Sequence, residues 1–485
     1  MEITERLSDD HEVTDAARAA ATIPADATLA VSGFGSVGYP KEIPLALAND
    51  DRDLSLSIIS GGSVGNEIDT ALVEADAISR RYTYQARTAS REAVNDRQIA
   101  FQDRHIARLG EDVLLGHLPK PNVAIVEAIA VGDGWFVPST SIGQTRAFVE
   151  AADRLIVEIN YEQPLSLQAF HDVYRVGLPP RSESIPLSSP GERIGNPMIS
   201  FEQEKLEAVV ETNVRDQPYE FRDPTPVDEA IAENLTDFLK TECTQNPAMA
   251  ERIHLQFGVG GLGNALMGAF RSVDFGGRDI VYYGEVIQDG LLDMLDAGKL
   301  EVASATSFAL SEEGQDRLFD NAERYAKNVI LRPASLSNRP ELVDKFGVVS
   351  VNSALEVDLY GHANSTHING SQIVNGIGGS GDFTRNGQVS VIALSSTAAD
   401  GSISRIVPMV PHVDHTEHDF GIVVTEHGVA DLRALSPREC AEVLVDECAD
   451  PTFRDDLSAY LKRADCGRGH IPHDLESVFT WTTNT

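Results

Sequence analysis

The chain has 485 residues, with Lys+Arg 39 against Asp+Glu 75, and a formal net charge of −36. Hydrophobic residues make up 42%, enough for a buried core, which excludes global disorder. No run approaches the ~18 apolar residues of a membrane span, and the acidic start from Met1 to His11 lacks the parts of a signal peptide.

Ala27–Ser32 predicts a strand, Gly33–Gly38 (GFGSVG) a turn, and Pro40–Ala48 a helix with proline in its first turn. Leu54–Ser60 predicts a second strand, and Val123–Glu127 and Arg154–Glu158 are further apolar runs. Unbroken apolar runs separated by helices imply a parallel sheet buried on both faces. Residues 179–226 carry eight prolines in an aperiodic, polar stretch and read as a linker or long crossover. Val227–Lys240 predicts an amphipathic helix. A second alternating series follows at Ile253–Phe257, Ile280–Tyr283, Asn328–Leu331, Ser390–Leu394 and Gly421–Thr425. The expected architecture is two α/β domains, 1–225 and 226–485, whose openings at 27–48 and 253–270 echo each other as strand, glycine loop and helix.

The charge bears on partners. An acidic surface repels nucleic acid and anionic membranes, so neither is expected as a partner. Lys supplies 8 of the 39 basic residues and Arg the other 31. Acid excess with scarce Lys reads as fitted to a salty cytoplasm, where self-repulsion is screened; an ordinarily acidic protein is the alternative. Cys243, Cys440, Cys448 and Cys466 form no CxxC pair and read as thiols in a reducing compartment. His412, His415 and His418 are spaced by three but lack an HExxH frame or cysteine partner, so no metal is expected.

Three motifs can carry chemistry. Gly258, Gly260 and Gly263 spell G-x-G-x-x-G between a strand and a helix, and Glu285 lies just beyond the next strand. Taken literally this is a dinucleotide fingerprint, and an NAD-dependent oxidoreductase is one reading. A glycine loop at a helix start suits the phosphates or thioester carbonyl of coenzyme A equally well. Asn375–Phe383 (NGIGGSGDF) is a second glycine loop, where a ligand can approach the backbone closely. In Tyr283–Gly290 (YGEVIQDG), Glu285 stands at a strand end, where it can be a ribose ligand, a general base, a nucleophile or a solvated acid.

GVGGLGNAL, GEVIQDG, EVDLYGHANSTHINGSQIVNGIGGSGDF and VDHTEHDFGIVVTEHGVADLR resemble the acetyl-CoA hydrolase/transferase family, as do GFGSVGYPKEIP, GGSVGNEIDTAL and VPSTSIGQT in the N-terminal half. The resemblance covers nearly the whole chain. It implies two related α/β domains with parallel-rich sheets of the CoA-transferase type, the active site between them and the nucleophile in the C-terminal domain. It implies coenzyme A as substrate and no further cofactor. By position, it makes Glu285 the nucleophile that forms a glutamyl-CoA thioester. It makes Gly258, Val259, Gly260, Gly261 and Leu262 the CoA loop, Leu262 and Gly379 the backbone oxyanion donors, Asn375 and Gly379 CoA contacts, and Asn338 a residue near the acyl pocket. Relatives commonly read STAK where this chain reads STAA, so Ala399 replaces a lysine that would meet the CoA.

The implied activity is transfer of CoA from acetyl-, propionyl- or succinyl-CoA to a small carboxylic acid. An acyl-CoA hydrolase is the alternative, and a noncatalytic CoA-binding protein a rival from another class. A carboxylate with an ordinary pKa is ionised near pH 7 and needs no base. Its attack on the thioester makes an oxyanion, which two N–H groups can hold at roughly 3 kcal/mol each. A cytoplasmic homodimer is expected, from the resemblance and from the prevalence of two-fold association.

Overall fold

The structure is a computed structural model that describes residues 3–8, 11–181, 183–220, 222–465, 469–478 and 480–483. It divides into two compact units. The first holds Met1–Glu220, Tyr282–Leu292 and Val302–Leu342; the second holds Phe221–Val281, Asp293–Glu301 and Val343–Thr485. A single cut at residue 225 was the expectation from sequence, with Glu285 in the C-terminal part. The compact units interleave along the chain, and Glu285 groups with the first. Long-range contacts place it there: Ser141 bridges to Ser307, and Ile142 N–H donates to the Thr306 carbonyl at 2.9 Å, neither of which periodicity can reveal.

In the first unit, β1 (Thr28–Val31), β2 (Leu56–Ser60), β3 (Ile78–Tyr82), β4 (Ala100–Gln102), β5 (Val123–Gly132), β6 (Trp135–Pro138), β7 (Arg154–Asn160), β8 (Ile199–Ser200) and β9 (Leu206–Thr212) share one sheet. Seven strands, in the order β4-β3-β2-β1-β5-β7-β9, are parallel. The far half of β5 pairs antiparallel with β6, and β6 with β8. Both faces are covered. Leu29 and Val31 join one apolar cluster with Ile43 and Leu47, while Ala30 between them joins another with Leu109, Val113 and Phe148. This is the two-sided burial that unbroken apolar runs imply.

The proline-rich stretch is structured over much of its length: up to Glu220 it belongs to the first unit and contributes β8 and β9, and from Arg222 it belongs to the second. Prolines remove backbone donors, so the segment cannot satisfy its own carbonyls. Two guanidinium groups tie it down, one donating to its carbonyls and one donating from it. Buried Arg332 pairs with Asp172 and donates to the carbonyls of Pro190, at 3.0 Å, and Glu192. Arg193 donates to the carbonyls of His171 at 3.0 Å and Ala326 at 2.9 Å.

The second unit begins with helix Pro226–Gln245, started by a capping box in which Thr225 and Asp228 satisfy each other's backbone N–H. Strands Arg252–Phe257, Val349–Asn352, Val389–Ala393 and Ile422–Thr425 pair in parallel, and Gly428–Asp431 returns antiparallel to the last. A smaller frame sits beside them: Glu356–Asp358 pairs with Ala363–Asn364 and with Ile406–Val407. Helices Pro437–Val443 and Pro451–Ala464 cover this region, burying Val357, Ile392, Val423, Leu444 and Leu457 together. The fold class is therefore mixed α/β with parallel-rich sheets.

Cys243, Cys440 and Cys448 are free and buried, and Cys466 lies outside the described residues. Among the described residues no helix is long and apolar enough to cross a membrane.

Candidate active site

Glu285 follows the strand Asp279–Tyr283 by one glycine, and its backbone is fixed on both sides. Gly284 N–H donates to Ser304 at 3.0 Å, and the Glu285 carbonyl accepts from Thr306 at 2.9 Å and Ser307 at 3.2 Å. The side chain is half-buried and accepts a 2.7 Å hydrogen bond at Oε1 from Asn338 Nδ2. Asn338 is fully buried, and Ser337 Oγ donates to its Oδ1 at 2.8 Å. That bond fixes which end of the amide faces the carboxylate. The helical turn Ala334–Ser337 before it is anchored by Ala334 N–H on the Gly143 carbonyl at 2.8 Å. After it, Arg339 pairs with Glu111 at 2.8 Å.

Glu285 keeps some surface exposure, yet the protein packed around its carboxyl pushes the pKa up to about 7, against the opposing effect of the Asn338 donor. The sequence expectation of a fully ionised carboxylate at neutral pH is thus corrected by burial. Asn338, expected near an acyl pocket, touches the carboxylate itself.

A second set of groups in the first unit has no counterpart among the residues singled out from sequence. Lys41 is fully buried at the end of the loop Gly33–Gly38 and pairs with Glu127, and with Asp216 at 2.9 Å. Glu127 also accepts from Ser139 at 2.5 Å and Asn160 at 2.8 Å. Asp216 accepts from Gly38 N–H at 3.2 Å and from Gln163 at 3.1 Å. Glu158, buried on β7, caps the helix Glu42–Ala48 by accepting from the N–H groups of Lys41, Glu42 and Ile43 at 2.7, 3.1 and 2.7 Å. Burial alone would lower the Lys41 pKa, but Asp216 and Glu127 hold it above its ordinary value. This network fixes the glycine loop. A Cβ on Gly35 would lie 3.6 Å from Ser307 Oγ and 3.8 Å from Val286, the strand pair beside Glu285. The available signal was a lysine in an apolar, proline-flanked motif of a chain with only 8 lysines.

In the second unit the loop Gly258–Gly260 joins strand Arg252–Phe257 to helix Gly261–Ser272. Leu262 N–H belongs to the first helical turn, whose donors have no acceptor within the helix. Val259 is half-buried and Gly258 exposed. A Cβ on Gly261 would collide with the guanidinium of Arg222, which also pairs with Asp228 at 2.8 Å. Arg222 was missed from sequence, hidden in the proline-rich stretch; it sets a cation against the loop. In the other glycine loop, Asn375 Oδ1 accepts from Gly376 N–H at 2.7 Å. Gly379 is buried, and its N–H donates to no acceptor among the described residues. Ala399 is exposed in the turn between Thr397–Ala398 and Ile403–Ser404. The spaced histidines diverge: His412 faces Asp414 at 3.2 Å, His415 meets Ser380 at 2.9 Å, and His418 is exposed beside Glu417. Among the described residues no group of three side chains is placed to hold a metal ion.

Comparison with known proteins gives the family. Residues 5–189 match the acetyl-CoA hydrolase/transferase N-terminal domain, and residues 314–461 the C-terminal domain. The chain is 41% identical over 461 residues to a succinyl-CoA:acetate CoA-transferase of Clostridium kluyveri, covering 94% of this chain and 85% of the relative. It is 36% identical over 463 residues to a propanoyl-CoA:succinate CoA transferase of Escherichia coli, covering 93% of each. It is 35% identical over 484 residues to an acetyl-CoA hydrolase of Yarrowia lipolytica, covering 93% of this chain and 90% of the relative. The fold is also that of RipA from Yersinia pestis (TM-score 0.71, 22% identity, 93% of this chain and 97% of the other). A 4-hydroxybutyrate CoA-transferase from Porphyromonas gingivalis shares it at TM-score 0.63 and 21% identity, over 93% of this chain and 97% of the other. With both domains of one family matched and relatives of such identity spanning nearly all of its length, the chain belongs to the acetyl-CoA hydrolase/transferase family, a family of enzymes.

Proposed function

We propose that this enzyme moves CoA between an acyl-CoA and a small carboxylic acid, with Glu285 as the nucleophile. The observation that carries the reading is the Glu285 carboxylate, backbone-pinned at a strand end and held by the buried Asn338 amide. The carboxylate attacks the thioester carbonyl, and the oxyanion accepts from the N–H groups of Leu262 and Gly379. Collapse gives an acyl-glutamyl anhydride and CoA thiolate. The thiolate attacks the glutamyl carbonyl, releasing the first acid and leaving glutamyl-CoA. A second carboxylate attacks that thioester, and the steps run in reverse to give the new acyl-CoA and free Glu285. The loop Gly258–Leu262 and Asn375 bind the CoA, with the Arg222 guanidinium as a phosphate partner. The relatives' names support acetyl-, propionyl- or succinyl-CoA as donor and acetate or succinate as acceptor.

The test is an acceptor screen with those three thioesters at molar salt. CoA should appear on the added acid. Release of free CoA at the same rate without any acceptor would make the enzyme a hydrolase instead.

The raised carboxyl pKa gives a pH dependence with a definite sign. Only the ionised form attacks, so formation of the glutamyl-CoA adduct should rise with pH through about 7. Below that value it should fall about tenfold per unit. A flat rate from pH 5 to 8 would remove Glu285 as the titrating nucleophile.

We infer also that the surface is fitted to high salt. At −36 net charge the protein repels an anionic CoA in dilute buffer, and salt screens that repulsion. Ala399→Lys restores a cation at an exposed turn. It should lower the KM for acyl-CoA about two- to fivefold at low salt, the range of an exposed ion pair, with the gain lost in molar salt. No change at either ionic strength would mean that this position does not meet CoA.

A further inference from the structure

The VDHTEHDF motif is left without a role by the mechanism above, and its histidines bind no common partner. One of them reaches the glycine loop. His415 is 1% exposed, and its Nε2 lies 2.9 Å from Ser380 Oγ, in hydrogen-bond contact. Ser380 is the residue after Gly379. Between Ile377 and Ser380 the loop consists of Gly378 and Gly379, with Gly378 at φ +57. Two consecutive glycines have wide backbone freedom, and no side chain of their own to restrain it. Ser380 is therefore the first side chain beyond Gly379 that can anchor its peptide. Its N–H also closes the turn on the Ile377 carbonyl at 3.2 Å.

The other end of the contact is rigid. His415 and Ala363 exchange backbone hydrogen bonds at 3.1 and 2.9 Å, and Ala363 pairs with Val357 in the small frame beside the sheet. Asp414, one residue before, accepts from Ser365 N–H at 2.6 Å and from Thr366 Oγ1 at 2.9 Å. The motif thus clamps to Ala363 by its backbone and to Ser365 and Thr366 by Asp414, and presents one imidazole to Ser380.

We propose that His415 is a positioning residue that, through Ser380, aims the Gly379 N–H at the oxyanion. The inference rests on the reading of Gly379 as an oxyanion donor. A donor fixed in advance is worth most, since nothing reorganises as charge develops. Loosening it should affect the chemical step and spare the binding of CoA.

The experiment measures kcat, the KM for acyl-CoA and the thermal midpoint of the full-length enzyme for five variants. His415→Leu removes the contact and keeps the bulk. Ser380→Ala removes it from the other side. Each should lower kcat about 10- to 100-fold, the scale of a misplaced group, with KM changed less than twofold and the thermal midpoint kept. The double variant should lose no more than either single one, because both break the same link. His415→Gln, whose amide can still reach the hydroxyl, should recover most of the rate. Multiplying losses in the double variant, or a Gln variant as slow as Leu, would overturn the role and leave only a packing residue. Gly379→Pro, the fifth, deletes the N–H itself. If it collapses kcat while His415→Leu turns over normally, the donor reading stands and His415 has no part in it. If Gly379→Pro keeps wild-type kcat, the donor reading falls and the inference falls with it.

Discussion

Glu285→Ala should abolish CoA transfer and the covalent adduct together, because every step of the proposed reaction passes through that carboxyl group. Incubating the native enzyme with acyl-CoA alone should leave CoA on the peptide containing GEVIQDG, visible by mass spectrometry or by borohydride reduction of the thioester. Glu285→Asp should fail nearly as badly. Removing one methylene draws the oxygen back by about an ångström, a misplacement that can cost ~100-fold. It also breaks the 2.7 Å bond from Asn338. Glu285→Gln separates chemistry from folding. The native carboxyl is raised to about 7, above its value in an unfolded chain, so the fold penalises the charged form. A raised carboxyl binds more protons folded than unfolded, so its effect on stability worsens as pH climbs from about 4.5 to 7 and stays constant above. The neutral amide escapes that penalty. Glu285→Gln should therefore be more stable than native by about 2–3 kcal/mol at pH 8 and equal to it at pH 4. An inactive variant with this gain marks a group kept at the expense of stability. Transfer at wild-type rates by Glu285→Gln, without deamidation, would refute the covalent mechanism.

The contrast between Glu285 and Lys41 shows what the sequence can disclose. Strands such as Val123–Gly132 were legible because burial on both faces leaves an unbroken apolar run, a local pattern. Glu285 was legible as a candidate because an acid one glycine beyond such a run stands out locally, while its proposed role as nucleophile came only from the family resemblance. Its pKa was not legible, because the desolvating mass and Asn338, 53 residues away, come from elsewhere in the fold. The strands within the proline-rich stretch were not legible for the same reason. Its composition signals only that it cannot pair with itself; the Arg332 donors that hold it are 140 residues or more distant. Lys41 lies within a motif whose resemblance was noted, yet its partners Glu127 and Asp216 are 86 and 175 residues away. No spacing rule relates them. The interleaving of the units is the largest case. Short two-residue strands such as Val286–Ile287 acquire their meaning only from the partner they find.

Lys41→Met should be the most destabilising single change outside the candidate active site. Met keeps the length and apolar stem of the side chain and removes the ammonium. Glu127 and Asp216, both essentially without solvent exposure, then lose their cation. Breaking a buried pair by deleting one partner costs about 3–5 kcal/mol, because the remaining charge is neither hydrated nor paired. Here two carboxylates remain, with buried Glu158 of β7 bonded to the Lys41 N–H, so the upper end of that range applies. The Lys41→Met/Glu127→Gln double variant removes a negative charge with the positive one, and the Ser139 hydroxyl can accept from the new amide. It should recover a large part of the loss in denaturant unfolding at neutral pH. The functional consequence follows from the loop. With Gly38 no longer held to a stable Asp216, the Gly33–Gly38 turn loses its anchor, and Gly35 its place against Val286 and Ser307. Any folded fraction of Lys41→Met should therefore form glutamyl-CoA more slowly than native, and the double variant should regain rate together with stability. A Lys41→Met protein within 1 kcal/mol of native stability, with normal adduct formation, would show that the buried charges neither hold the loop nor support the carboxylate beside it.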